Sequence, residues 1–347
     1  MGQTDSFFIF GVDGLKNLWY SVICNMKNKS SLNLITVDAN QVKSFIKDCD
    51  KLKPSSLVMD SIKWKYLVRS VMRGKNILIV GPTGCGKTLA AQTVANSLER
   101  PYFYFNLGAT QDARSALIGN THYDKNTGTY FNESAFVKAI KTPNAVILMD
   151  EVSRAHHDAW NVLMTVLDDL QRYLRLDEKK DSEVVSVAEG VCFIGTANIG
   201  NEYTSTRVMD RALMSRFPIK LEMSPMAKEV EFKYLKDRFN ITEIGHLDIL
   251  NSIVEIAVHT RDQVKSEDSK LSNFIPTRST VEMSELILDG FNLLEIAETA
   301  IYPNFTVEGG MDSERTYVKQ LVQKYIKVET KNTLFSDPLV KSEQPPF

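Results

Sequence analysis

Four cysteines in 347 residues, Cys24, Cys49, Cys85 and Cys192, are too few and too irregularly spaced for a disulfide framework or a cysteine metal site. Their sparse use fits a reducing compartment, and a cytoplasmic location is expected. No apolar run approaches the roughly 20 residues that span a bilayer, so no membrane span is expected. Phe7-Phe8-Ile9-Phe10 lacks the basic flank and long apolar core of a signal peptide. Met1-Gly2-Gln3-Thr4-Asp5-Ser6 fits a short N-myristoylation pattern, but such patterns arise by coincidence, and no acylation is expected. Neither charge sign dominates: 41 Lys and Arg stand against 43 Asp and Glu, a net charge of −2. No global field therefore draws the chain to nucleic acid or to an anionic membrane. No internal repeat is present.

What the chain does have is length for two packed units, and the composition of a globular protein. Its most informative segment is the octet Gly81-Pro82-Thr83-Gly84-Cys85-Gly86-Lys87-Thr88. The apolar run Asn76-Ile77-Leu78-Ile79-Val80 precedes it, and Leu89, Ala90, Val94, Ala95 and Leu98 follow at helical spacing. Strand, glycine-rich loop and helix come in the order a phosphate-binding loop needs. Glycines let backbone N–H groups curl around an anion, and a helix N-terminus turns its positive dipole end toward it. Residues 81–89 are thus the expected nucleotide cradle. Lys87 is expected on the β- and γ-phosphates, and Thr88 on Mg²⁺. Cys85 reads as small filler within the loop.

From residue 76 strands and helices alternate. The expected strands are 76–80, 101–106, 145–149, 191–195 and about 219–222, short, continuous and apolar as buried parallel strands are. A helical stretch over 156–171 puts Trp160, Leu163, Met164, Leu167 and Leu170 on one face. Lys51 to Arg73 is expected to be helical, with Ile62, Tyr66, Leu67 and Val71 on one face and a solvated basic face of Lys63, Lys65, Arg69, Arg73 and Lys75. After Pro225 only helical periodicity remains. The expected fold class is α/β: a three-layer αβα P-loop NTPase domain with a five-stranded parallel sheet, then a small all-helical domain. The expected divisions are an N-terminal extension over 1–50, the αβα domain over 51–224, the helical domain over 225–330 and a disordered tail over 331–347.

Two carboxylates, Asp150 and Glu151, close the apolar strand Val146-Ile147-Leu148-Met149. Ligands of open α/β sheets bind at that C-terminal edge. Asp150 suits a Mg²⁺ contact through water, and Glu151 suits a general base for attacking water. Gly195-Thr196-Ala197-Asn198 ends the next strand, where Asn198 is expected to face the γ-phosphate. His156-His157 would point apart on a helix and reads as helix-start surface.

The order of these motifs, followed by Asp210-Arg211-Ala212-Leu213-Met214-Ser215-Arg216-Phe217, resembles an AAA+ ATPase. More narrowly it resembles the MoxR / CobS-like branch, with relatives of dynein, midasin and McrB, over roughly residues 55–330. Tyr123 to Phe131, with Asp-Lys-Asn-Thr-Gly between aromatics, resembles that branch's hairpin insert facing the ring pore. Tyr173-Leu174-Arg175-Leu176 and Val184-Val185-Ser186-Val187 resemble its pre-sensor hairpin. The resemblance implies an ATP- and Mg²⁺-dependent hydrolase in a ring, a hexamer, with chaperone-like remodelling of a protein client. A partner with a von Willebrand factor A-type domain is implied as well. It makes Arg216 an arginine finger acting on a neighbouring subunit, with Arg211 assisting. It makes Arg278, in Ile275-Pro276-Thr277-Arg278, a second-sensor arginine on phosphate. It puts Arg154 at a subunit interface, and lets Asn106 hold Glu151 inactive. Two other readings are a nucleic-acid motor, against which stands the lack of a basic domain, and a nucleotide-gated scaffold with little turnover.

Overall fold

The computed structural model of the chain describes residues 39–126, 128–179, 182–198, 209–266 and 268–326. The Gly2 pattern, Cys24, the segment after Asn198 and the tail from 331 lie outside the described residues. Two compact units divide the chain. The first runs to Met223 apart from Thr83–Cys85, and the second takes Thr83–Cys85 and the chain from Ser224.

In the first unit, α1 (Ala39–Asp48) leads through a tight turn to α2 (Ser61–Met72). The helix expected from Lys51 starts ten residues later than its periodicity suggests. Pro54 disfavours helix at the residue before it, and Asp60 caps α2 by accepting from Ile62 N–H at 2.8 Å. The buried face is Trp64, Leu67, Val68 and Val71, whereas Ile62 and Tyr66 are exposed. Trp64 decides this, because its indole N–H donates to Cys49 O at 2.9 Å and locks the rotation of the helix. Of the basic residues here, Lys65 pairs with Asp50 and Lys75 with Asp169.

A five-stranded parallel sheet follows, built from β1 (Ile77–Val80), β2 (Tyr102–Asn106), β5 (Val146–Asp150), β8 (Cys192–Ala197) and β9 (Ile219–Glu222) in the order β2-β5-β8-β1-β9. Register sets Val80 beside Ala197 and Asn106 beside Asp150, so the C-terminal strand ends form one rim. β1, β5 and β8 are buried on both faces. The outer strands β2 and β9 are only partly buried, because an edge strand has one neighbour. Leu78, Ile147, Met149 and Phe193 pack on one face with Phe136 of α5 (Ala135–Ile140) and Trp160 and Leu163 of α6 (His157–Val166). Alternate residues Ile77, Ile79, Leu148 and Ile194 are buried on the other face, where α3 (Lys87–Ser97) contacts β5 and β8. This is the expected three-layer α/β P-loop architecture.

Between α3 and α5 lie β2, α4 (Ala113–Leu117) and the antiparallel hairpin β3 (Gly119–Asp124) with β4 (Gly128–Glu133). A second antiparallel hairpin joins β6 (Tyr173–Leu176) to β7 (Glu183–Ser186). Glu133 ties the two, accepting from Lys141 at 2.7 Å and from Lys179 at 3.0 Å. α6 is shorter than its apolar pattern implies. It stops at Val166, the Asp168 carboxylate accepts the Leu170 and Gln171 N–H groups, and Leu170 is 95% exposed instead of lying on the packed face. The short α7 (Arg211–Ser215) precedes β9.

The second unit is helical among its described residues: α8 (Lys228–Phe239), α9 (Ile244–Lys265), α10 (Thr277–Leu288), α11 (Leu293–Ile296) and α12 (Glu314–Gln323). Leu235, Leu250, Ile253, Met283, Ile287 and Val318 are among its core residues. A buried ion pair crosses that core. Arg261 of α9 donates to Glu231 of α8 through Nη1 at 2.5 Å and Nη2 at 3.0 Å.

Candidate functional site

The rim of β1, β5 and β8 gathers the motif residues. Lys87 begins α3 directly after the glycine loop, so its side chain folds back under that loop. Its Nζ donates to Gly81 O and Pro82 O at 2.8 Å each and to Asn198 Oδ1 at 2.7 Å. Lys87 and Asn198, 111 positions apart, are thereby brought together, and both are buried. The ammonium holds three neutral oxygens. An anion arriving at the loop would compete for the same proton donors with full charge. Gly84 needs its lack of a side chain twice over. It sits at φ +76°, and within the second unit a Cβ there would lie 2.8 Å from the Pro276 Cβ. Arg278 lies in the first turn of α10, just beyond Pro276.

Asp150 ends β5 and receives donors on both oxygens. Thr88 Oγ1 donates to Oδ2 at 3.2 Å, and Thr196 Oγ1 donates to Oδ1. Tyr104 also donates to Oδ2, at 3.2 Å. Hydroxyl and carboxylate oxygens, with no sulfur or imidazole, suit a hard divalent cation that keeps much of its water, as Mg²⁺ does. The backbone N–H groups at the start of α3 and the curled loop fit a phosphate group beside it.

Glu151 leaves the strand in the left-handed region, at φ +56° and ψ +40°. That conformation costs a non-glycine residue of order 1–3 kcal/mol, and strain of this kind collects at functional sites. Three contacts hold it. Its N–H donates to Thr196 Oγ1 at 3.0 Å, its C=O accepts from Arg154 N–H at 2.8 Å, and Trp160 anchors the next residue by donating to Val152 O at 2.9 Å. The carboxylate lies between Arg154, whose Nη1 is 3.5 Å from Oε1, and Gly108.

Arg154 therefore takes the place that Asn106 was expected to fill. Asn106 Oδ1 instead accepts from Ala109 N–H at 3.1 Å and shapes the loop after β2. Gly108 in that loop is a site residue that the motif order gives no sign of. A Cβ there would fall 2.4 Å from Glu151 Oε2 and 2.9 Å from its Cβ. Gly108→Ala should push the Glu151 carboxylate aside and slow turnover about 10- to 100-fold while nucleotide affinity stays unchanged. Steady-state rates beside equilibrium binding would check this, and unchanged turnover would show that Glu151 tolerates the displacement. Thr196 was equally hidden, as one member of a Gly-Thr-Ala-Asn run in which only Asn198 drew notice.

Arg216 is engaged within its own chain. Nε donates to Met164 O at 2.7 Å, Nη1 to Ala212 O at 2.8 Å, and Nη2 lies 3.6 Å from Asp168. Its own carbonyl accepts from the buried Asn76 side chain at 3.0 Å. Arg211, at the start of α7, is exposed. His157 is exposed at the start of α6, as helix-start surface, and stacks edge-on against Trp160 with ring centroids 4.7 Å apart.

Parallel strand order, glycine loop and rim carboxylates define the fold as that of an α/β P-loop NTPase. Residues 76–217 match the family described as AAA domain (dynein-related subfamily). A candidate chaperone of Thauera aromatica, BssE, is 28% identical over 221 residues, covering 63% of this chain and 72% of that protein. An uncharacterized protein of Staphylococcus saprophyticus is 33% identical over 148 residues, covering 42% of this chain and 54% of its own length. Among solved structures, the RuvB Holliday junction branch migration motor of Thermotoga maritima is similar at a TM-score of 0.46 and 17% identity, covering 79% of this chain and 80% of that one. No helix among the described residues is long and apolar enough to cross a membrane.

Proposed function

We propose that the chain is a Mg²⁺-dependent ATPase that works as a ring, a hexamer, and uses ATP binding and hydrolysis to remodel a protein partner. The observation that carries this reading is the convergence of Lys87, Thr88, Asp150, Glu151 and Asn198 on one sheet rim. When bound, Mg²⁺ supplies neutralisation of the charge that develops on the β- and γ-phosphates. Lys87 exchanges the loop carbonyls for phosphate oxygens. Asn198, already bonded to Lys87, orients water and a γ-oxygen without adding charge. Glu151 takes the water's proton.

Arg278 meets phosphate from the helical unit of the same subunit. Arg216 and the exposed Arg211 reach a neighbouring subunit's phosphate across the ring. Arg216 must exchange the Met164 and Ala212 carbonyls for that role, which makes assembly a step with its own energetic cost. The proposed division of the chain is an extension over 1–50, the nucleotide domain over 51–224, a helical lid over 225–330 and a tail. The hairpins β3–β4 and β6–β7, at the two segments whose sequence resembles the inserts of the MoxR / CobS-like branch, support membership of that branch. A chaperone name on one relative, BssE, fits a protein client, and the branch suggests a von Willebrand factor A-type partner.

Turnover against protein concentration tests the reading. ATPase activity per chain should rise steeply as the ring forms, and Lys87→Ala should neither bind nor hydrolyse ATP. A monomer that turns over at the full rate would overturn the ring mechanism.

A further inference from the structure

Tyr104 stands on the edge strand β2 and is 48% exposed. An aromatic ring half in water at the rim of a sheet gains little from burial. β2 runs parallel to β5 with Tyr104 beside Leu148, two residues before Asp150 on the same face. Side chains lean along a strand, and Tyr104 thereby reaches forward to the carboxylate. Its hydroxyl donates to Asp150 Oδ2 at 3.2 Å.

We infer that Tyr104 is a positioning residue for the divalent cation, acting through Asp150. The inference rests on the nucleotide and Mg²⁺ reading proposed above. A carboxylate that holds a cation through water must keep its plane fixed, because the intervening hydrogen bonds are directional. Thr196 fixes one oxygen of Asp150, and Thr88 and Tyr104 share the other. Thr88 is also the residue that would ligate the cation, so its hydroxyl reorients when the cation enters. Tyr104 comes from a different strand and has no such second task. It keeps Oδ2 aimed while Thr88 changes partners.

The test is the factor by which Mg²⁺ strengthens nucleotide binding. Affinity for methylanthraniloyl β,γ-imido-ATP is read by fluorescence on the full chain, once in Mg²⁺ and once in EDTA. Outer-shell partners of metal sites are worth 10- to 100-fold in metal affinity, and half-exposure reduces that, so Tyr104→Phe should shrink the Mg²⁺ factor about three- to tenfold. Affinity in EDTA should not change, because the phenol touches no part of the phosphate loop's own bonding. In an Asp150→Asn background the same substitution should be silent. An unchanged Mg²⁺ factor in Tyr104→Phe overturns the inference. So does an equal loss of affinity in Mg²⁺ and in EDTA, which would mark Tyr104 as a general support of the rim. A wild-type chain with no Mg²⁺ factor at all would overturn the proposed function first, and this inference with it.

Discussion

Glu151→Gln should bind ATP as tightly as the wild type and turn it over about 10²- to 10⁴-fold more slowly. The amide keeps the shape and hydrogen-bonding reach of the side chain but cannot accept a proton from water. Backbone geometry should survive, because the left-handed turn at residue 151 is held from outside the carboxylate. Thr196 takes its N–H, Arg154 N–H takes its C=O, and Trp160 anchors Val152. What the substitution does remove is the charge facing Arg154 at 3.5 Å. Both side chains are about a third exposed, so that contact contributes little to stability. Single-turnover rates measured beside equilibrium binding separate the two effects. A variant that keeps wild-type turnover would move the base role to another group.

Removing one partner of the Glu231–Arg261 pair should destabilise the chain by about 3–5 kcal/mol, because the survivor is left charged and buried. Glu231 is 0% and Arg261 4% exposed. The network around them leaves little slack. Thr280 Oγ1 donates to Glu231 Oε1 at 2.6 Å, and Arg261 Nε donates to Ile275 O at 2.8 Å. Either Glu231→Ala or Arg261→Ala therefore strands several groups at once. The double variant Glu231→Leu with Arg261→Met, which removes both charges and keeps volume, should recover most of the loss. Urea unfolding of the full chain measures all three. If the double variant were as unstable as the singles, the pair would owe its worth to shape and not to charge. The network also fixes Ile275, at the start of the segment that leads into Arg278.

The chemistry was the legible part of the sequence. A glycine loop, Asp150-Glu151 and Asn198 are each short and local, and the strands that carry them are continuous apolar runs. Three of the five parallel strands, β1, β5 and β8, could be placed because burial on both faces leaves no polar alternation to confuse them. The edge strands were placed as closely, although β2 mixes faces: Phe103 and Phe105 pack on the core while Tyr104 meets water. Helix limits failed where a local side chain intervened. Asp60 starts α2 late, and Asp168 collects the N–H groups that a longer α6 would have used. The rotation of α2 failed for a different reason. Trp64 buries its ring by donating to a carbonyl fifteen positions back, and no periodicity carries that information.

By itself the sequence determined the fold class and the chemical types at the site, because glycine loops and rim carboxylates act through residue type and local spacing. Tertiary structure alone decided who touches whom. Tyr104 and Thr196 reach Asp150 from neighbouring strands, and Gly108 and Arg154 enclose the Glu151 carboxylate. Arg216 is bound to carbonyls of its own chain. Those contacts depend on strand register and on the course of loops, which bring residues tens of positions apart within 4 Å. A linear pattern holds residue type and order, and contact distance exists only once the sheet has formed.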